Sequence, residues 1–85
     1  MSVADATLAQ LDQLFLDMIA QQGEKVLRLA REIVPNVTPE DLRNPHDFTA
    51  LMRDPVFNYE DGLLAGLRSA HMAARAELRE RGSHS

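Results

Sequence analysis

Six side chains able to hold a metal or move a proton fall between residues 46 and 71: His46, Asp47, Asp54, Glu60, Asp61 and His71. Zinc needs three or four N, O or S donors converging on one point. On a helix, spacings such as His-x-x-x-His or Glu-x-x-His supply that convergence, and neither occurs here. His71 instead has Arg75 one turn later, a cation where a ligand set needs a donor. The acid pairs Glu40/Asp41 and Glu60/Asp61 could serve general acid–base work. Adjacent helical residues point in different directions, however, and both pairs fall where first helical turns are expected, at a positive dipole end that keeps carboxylates ionised. Nucleophilic catalysis finds no cysteine, and Ser69 sits in a row of small residues with no strand-to-helix elbow around it. The glycines at 23, 62, 66 and 82 are scattered and build no phosphate loop. These residues predict no enzyme, no cofactor and no metal. His46, Asp47 and His71 form the one polar cluster from which a metal or small enzyme site could be assembled across a dimer.

Two other groups address partners. Arg68, Arg75 and Arg79 share a helix face and offer a strip for a polyanion, but Asp61 shares that face. From Asn58 onward four basic residues meet four acidic ones, the balance of a solvated face. With a formal net charge of −4 for the chain, nucleic acid is a disfavoured partner. The stretch RNPHDFTALMRDPVFNYEDG gathers Phe48, Leu51, Met52, Val56, Phe57 and Tyr59. Aromatic and methionine side chains serve well at interfaces, so these six are candidate partner contacts. The competing reading pins Phe48 and Leu51 onto the core and leaves the Tyr59 hydroxyl at its edge.

The elements that position these residues read as helices. From Ser2 to Val34, Leu8, Leu11, Phe15, Met18, Gln22, Val26, Leu29 and Ile33 recur at three- and four-residue spacings. Further apolar residues widen the arc to roughly 220°, more than one partner helix covers. Ser2 and Asp5 fit a capping box, Glu24/Arg28 and Arg28/Glu32 are i,i+4 ion pairs, and the segment reads as one helix across Gly23. Pro35 ends it. Four helix-start signals follow: Thr38-Pro39 with Asp41, Asn44-Pro45 with Asp47, Asp54-Pro55, and Asn58 with Glu60 and Asp61. They predict short helical turns rather than strands.

A second long helix is expected from Asn58 to about Arg81, ended by Gly82. Tyr59, Leu63, Leu67, Ala70, Ala74 and Leu78 make its apolar stripe. Gly62, Ala65, Gly66, Ser69, Ala73 and Ala76 make a row small enough for another backbone to approach.

The fold class is therefore all-α: a long antiparallel helical hairpin with a Pro-rich connection of short helical turns, paired into a four-helix homodimer. Residues 1–82 form a single helical domain, and 83–85 read as a flexible, tag-like tail. Self-association is assigned to Leu11, Phe15, Met18, Gly66, Ala70 and Ala73. With 85 residues and no cysteine or tryptophan, the chain has neither disulfides nor large aromatics to supplement an aliphatic core. A hydrophobic content of 45% marks a folded chain. No apolar run is long enough to span a membrane, and no leader pattern opens the sequence, so a cytoplasmic protein is expected. The function expected is a small non-enzymatic protein–protein interaction or regulatory module that associates with itself and with a protein partner. A nucleic-acid-associated regulator using the arginine strip is the alternative.

Overall fold

The computed structural model describes the backbone of residues 3–83 and the side chains of residues 4–80. Every regular element among the described residues is helical. They are α1 (Val3–Ile33), 3-10 turns at Asp41–Arg43 and Pro45–Asp47, the short α2 (Thr49–Arg53) and α3 (Pro55–Ser83). The all-α expectation holds. The Ser2–Asp5 cap falls outside the described residues, because it depends on Ser2.

Helix α1 runs through Gly23 without a break. Its alanines, leucines, glutamines and long charged residues are strong helix formers, and a single glycine costs about 1 kcal/mol against them. A Cβ added at Gly23 would meet nothing within 4 Å, so close packing is not why the glycine is there. The helix ends ahead of Pro35. The Val34 N–H donates to the Ala30 carbonyl at 2.7 Å, the Val37 N–H donates to Val34 at 3.0 Å, and Arg31 Nε donates to the Val37 carbonyl at 3.2 Å. The chain is thereby drawn back over the end of α1. The i,i+4 ion pairs expected at Glu24/Arg28 and Arg28/Glu32 do not form among the described residues.

The start signals in the connection have different fates. Thr38 and Asp41 bond reciprocally: the Thr38 N–H donates to Asp41 Oδ2 at 2.9 Å and the Asp41 N–H to Thr38 Oγ1 at 3.2 Å. The Asn44 side chain makes no capping bond, although the second 3-10 turn does begin at Pro45. Asp54 Oδ1 accepts the Phe57 N–H at 2.8 Å and caps α3, with Pro55 at its first position. That corrects the expected start at Asn58. Asp54 lies four residues earlier and takes the helix, and the Asn58 side chain donates to the Met52 carbonyl at 2.9 Å instead. Gly82 is not a stop either, since α3 continues to Ser83.

Helices α1 and α3 lie along each other in opposite directions. Asp12 meets His71, while Gln22 and Lys25 meet Glu60. Residues buried or half-buried along α1 include Leu8, Asp12, Phe15, Ile19, Gln22, Val26, Ala30 and Ile33. On α3 they are Phe57, Glu60, Leu64, Leu67, His71, Ala74 and Leu78, with Asp61 half-buried beside them. Both series run in three- and four-residue steps, but the seam is rotated from the expected stripes. Asp12 and Ile19 take the places assigned to Leu11 and Met18, and Leu64 and His71 take those assigned to Leu63 and Ala70.

The fully buried apolar residues Val26, Ala30, Val37, Leu51, Phe57 and Leu64 cluster where the connection folds over the helix pair. Among the described residues no apolar side chain is fully buried toward the other end, and the chain measures 50 × 20 × 18 Å. Phe57→Ala should cost about 3–5 kcal/mol by the lost burial and the cavity left behind, and Asp54→Ala about 1 kcal/mol by the lost cap. Urea denaturation followed by circular dichroism measures both, and the core substitution should shift the midpoint several times further than the cap.

Candidate functional site

The seam buries two polar side chains, Glu60 and His71, three helical turns apart on α3. Glu60 is held from α1. Lys25 Nζ lies 2.9 Å from Oε1, and Gln22 Nε2 donates to Oε2 at 3.1 Å and to the Glu60 carbonyl at 2.9 Å. The Lys25 contact, then the Gln22 hydrogen bond, hold this carboxyl below its usual 4.5. Next to it, Asp61 behaves oppositely: burial pushes its carboxyl up, and the nearby Arg68 offsets only part of that. Sequence adjacency thus conceals two environments, one inside the seam and one on its flank.

His71 lies in the seam with its ring stacked on Phe15, centroids 5.5 Å apart. Its Nε2 is 2.7 Å from Asp12 Oδ1, and Arg75 Nε stands 3.8 Å from the same oxygen. An ionised carboxylate only accepts, so Nε2 carries the proton. A cleft of about 210 Å³ beside the ring is lined mainly by Leu8, Leu11, Phe15, Ala74 and Leu78, with Glu77 also at its wall. His71 therefore acts as a clasp between two helices within leucine surroundings. His46 and Asp47 are exposed neighbours 3.7 Å apart, far in sequence from that clasp. Among the described residues no three His, Cys, Asp or Glu side chains gather.

The six candidate partner contacts separate into two groups. Leu51 and Phe57 have no exposed surface and belong to the core, and half-buried Phe48 packs against it. Both were offered as contacts, and burial removes them, because the connection needs its largest side chains to close over α1 and α3. Met52, Val56 and Tyr59 stay on the surface at 45%, 57% and 66% exposure.

The self-association set lies largely outside the seam. Leu11, Met18, Gly66, Ala70 and Ala73 are exposed, and Phe15 is half-buried beneath them. At about 100° per residue, Leu11, Leu14 and Met18 occupy one flank of α1. In the antiparallel pair they share a face with Val56, Tyr59, Leu63 and Ala70 of α3, while Gly66 and Ala73 sit further round. Leu14 and Leu63 were not singled out as contacts; their place one step off the seam is the signal that finds them. The arginine strip lies on the opposite flank of α3, accompanied by carboxylates: Asp12 beside Arg75, and Asp61 near Arg68. Arg79 is exposed along the same strip.

Gln22 belongs to the stripe expected from the spacing and does lie in the seam, whereas Asp12, Lys25 and Glu60 are seam contacts that the apolar pattern does not mark. The alternating spacing of Glu60, Leu64, Leu67, His71, Ala74 and Leu78 carries that information once polar types are admitted to the stripe. No helix among the described residues is long and apolar enough to cross a membrane. Compared with known proteins, the chain matches no family model, no curated protein and no solved structure.

Glu60 gives a pH dependence of definite sign. A carboxyl whose pKa is lowered by folding adds stability above its unfolded value, and that addition is lost as pH falls through the lower folded value. Glu60→Gln should therefore be less stable than the parent at neutral pH, and the gap should close as pH drops below about 4.5. Denaturation midpoints measured from pH 7 to pH 3 in both proteins check this; a gap independent of pH would assign the effect to shape rather than charge.

Proposed function

We propose that the protein is a non-enzymatic interaction module: an antiparallel hairpin that pairs with a second copy into a four-helix bundle and offers its connection to a protein partner. The observation carrying this reading is the amount of apolar surface left outside. Among the described residues nine large hydrophobic side chains are exposed at 42% or more, including Leu11, Leu14, Met18, Val56, Tyr59 and Leu63, against six hydrophobic residues in the core. The accessible area is 6325 Å², whereas a compact monomer of this mass has about 5,000 Å². The excess is of the order one partner hides in a specific interface, ~800 Å² per side.

The occupant favoured is a second copy because the face is long, nearly straight and apolar on both helices. Two such faces joined across a twofold axis would complete the layer each hairpin lacks. Met52, at the connection, is the residue proposed for a different protein partner, and the module is placed in the cytoplasm. The polar residues of the seam serve this assembly by fixing the alignment of α1 on α3, so that the two halves of the face stay level.

Sedimentation equilibrium at high micromolar concentration should give a dimer. Leu14→Glu and Leu63→Glu should each give a monomer with unchanged helical circular dichroism, since both side chains are already exposed within one copy. A monomeric parent protein under those conditions would remove the reading.

A further inference from the structure

On the flank of the helix pair opposite the apolar face, a cleft of about 600 Å³ opens between α1, α3 and the first 3-10 turn. That volume lies within the ~300–1,000 Å³ of small-molecule sites. Leu42 and Leu64 belong to its apolar wall, Gly23 to its α1 side, and Glu24, Asp61, Arg43 and Arg68 to its polar wall.

Two residues of this cleft work against the stability of the fold. Gly23 weakens the middle of a continuous helix; like Gly62 and Gly66 it has nothing within 4 Å of where a Cβ would sit, and of these three it is the one that lines the cleft. No turn or positive φ requires it there. What the glycine preserves is room in the cleft. Asp61 is the second. Its carboxyl is pushed up by burial, so it is harder to ionise in the folded chain than in the unfolded one. Its charge therefore subtracts from stability above the folded pKa. Arg43, exposed at the rim, adds a charge of the other sign and makes no ion-pair contact with a carboxylate among the described residues, Glu24 of the same cleft included. Features that weaken a fold and converge on one concavity are the expected mark of a binding site.

We propose that this cleft binds a dipeptide-sized zwitterion with apolar side chains, its ammonium at Asp61, its carboxylate at Arg43, and its apolar body on Leu42 and Leu64 over the gap left by Gly23. Arg68 tempers the charge of Asp61 and widens the cationic rim. Both signs of charge line the cleft, Glu24 and Asp61 with Arg43 and Arg68, so a ligand carrying both satisfies it better than a simple anion or cation. The site lies away from the face assigned to the second copy and does not depend on it.

The test uses the full chain and the dipeptide Leu-Leu, titrated while NMR chemical shifts are followed. Saturable shifts at residues 23, 42, 61 and 64 are expected. N-acetylation of the dipeptide should weaken binding about tenfold in the parent but not further in Asp61→Asn. C-terminal amidation should do the same with respect to Arg43→Gln. Gly23→Leu should raise the melting temperature, because leucine is the better helix former, while abolishing the shifts. Three results would each overturn the proposal: no saturable shift at millimolar dipeptide, equal binding of free and capped dipeptides, or undiminished binding by Gly23→Leu.

Discussion

The structure depends on an uneven distribution of burial along one helix pair. Where the connection folds back, α1 and α3 gain a third layer, and Val26, Ala30, Val37, Leu51, Phe57 and Leu64 are closed from all sides. Away from that end there are only two helices, and two cylinders touching along a line cannot enclose a large side chain. The far half is joined through Phe15, half-buried aliphatics and a histidine–carboxylate contact. A chain of this size, with no disulfide to supplement its core, concentrates its burial at one end and leaves the other a two-helix seam.

The polar contacts of the seam follow from that geometry. A purely aliphatic two-helix seam has many registers of similar energy, because one leucine packs much like the next. Glu60 with Lys25 and Gln22, and His71 with Asp12, are each satisfied in one alignment of α1 on α3. A shift by one turn would leave a buried carboxylate or imidazole without its partner, at the cost that attends any unpaired buried polar group. These pairs add modestly to stability where they are, and strongly oppose the alternatives.

This also explains what was legible from the sequence. Helix content, the uninterrupted α1, its end before Pro35, the Thr38–Asp41 turn and the Asp54 cap depend on local chemistry, and local chemistry is written in a few adjacent residues. The rotation of each helix is not local. On α1, apolar residues occupy neighbouring positions such as Leu11, Leu14, Phe15 and Met18, so a wide arc is compatible with several facing directions. Excluding Asp12, Glu60 and His71 from the stripe because they are polar then tips the choice toward Leu11, Leu63 and Ala70. Only the opposing helix decides, by offering a carboxylate to an imidazole and an ammonium to a carboxylate. Phe48 and Leu51 are ambiguous in the sequence, and Phe57 reads there only as a contact, for the related reason that interface and core draw on the same residue types.

The two flanks of the helix pair are chemically unlike, and the seam makes them so. Rotating α1 to bring Asp12 and Ile19 inward turns Leu11, Leu14 and Met18 out on one side and Gly23 out on the other. Rotating α3 to bring His71 inward turns Tyr59, Leu63 and Ala70 toward the first side and Asp61 and Arg68 toward the second. A seam set by leucines alone, with Leu11 and Leu63 inside, would have merged these surfaces and left neither a continuous apolar face nor a charged cleft. The polar pairs of the seam thus determine surface chemistry on both sides, and any function of this chain that relies on one flank rests first on the alignment those pairs select.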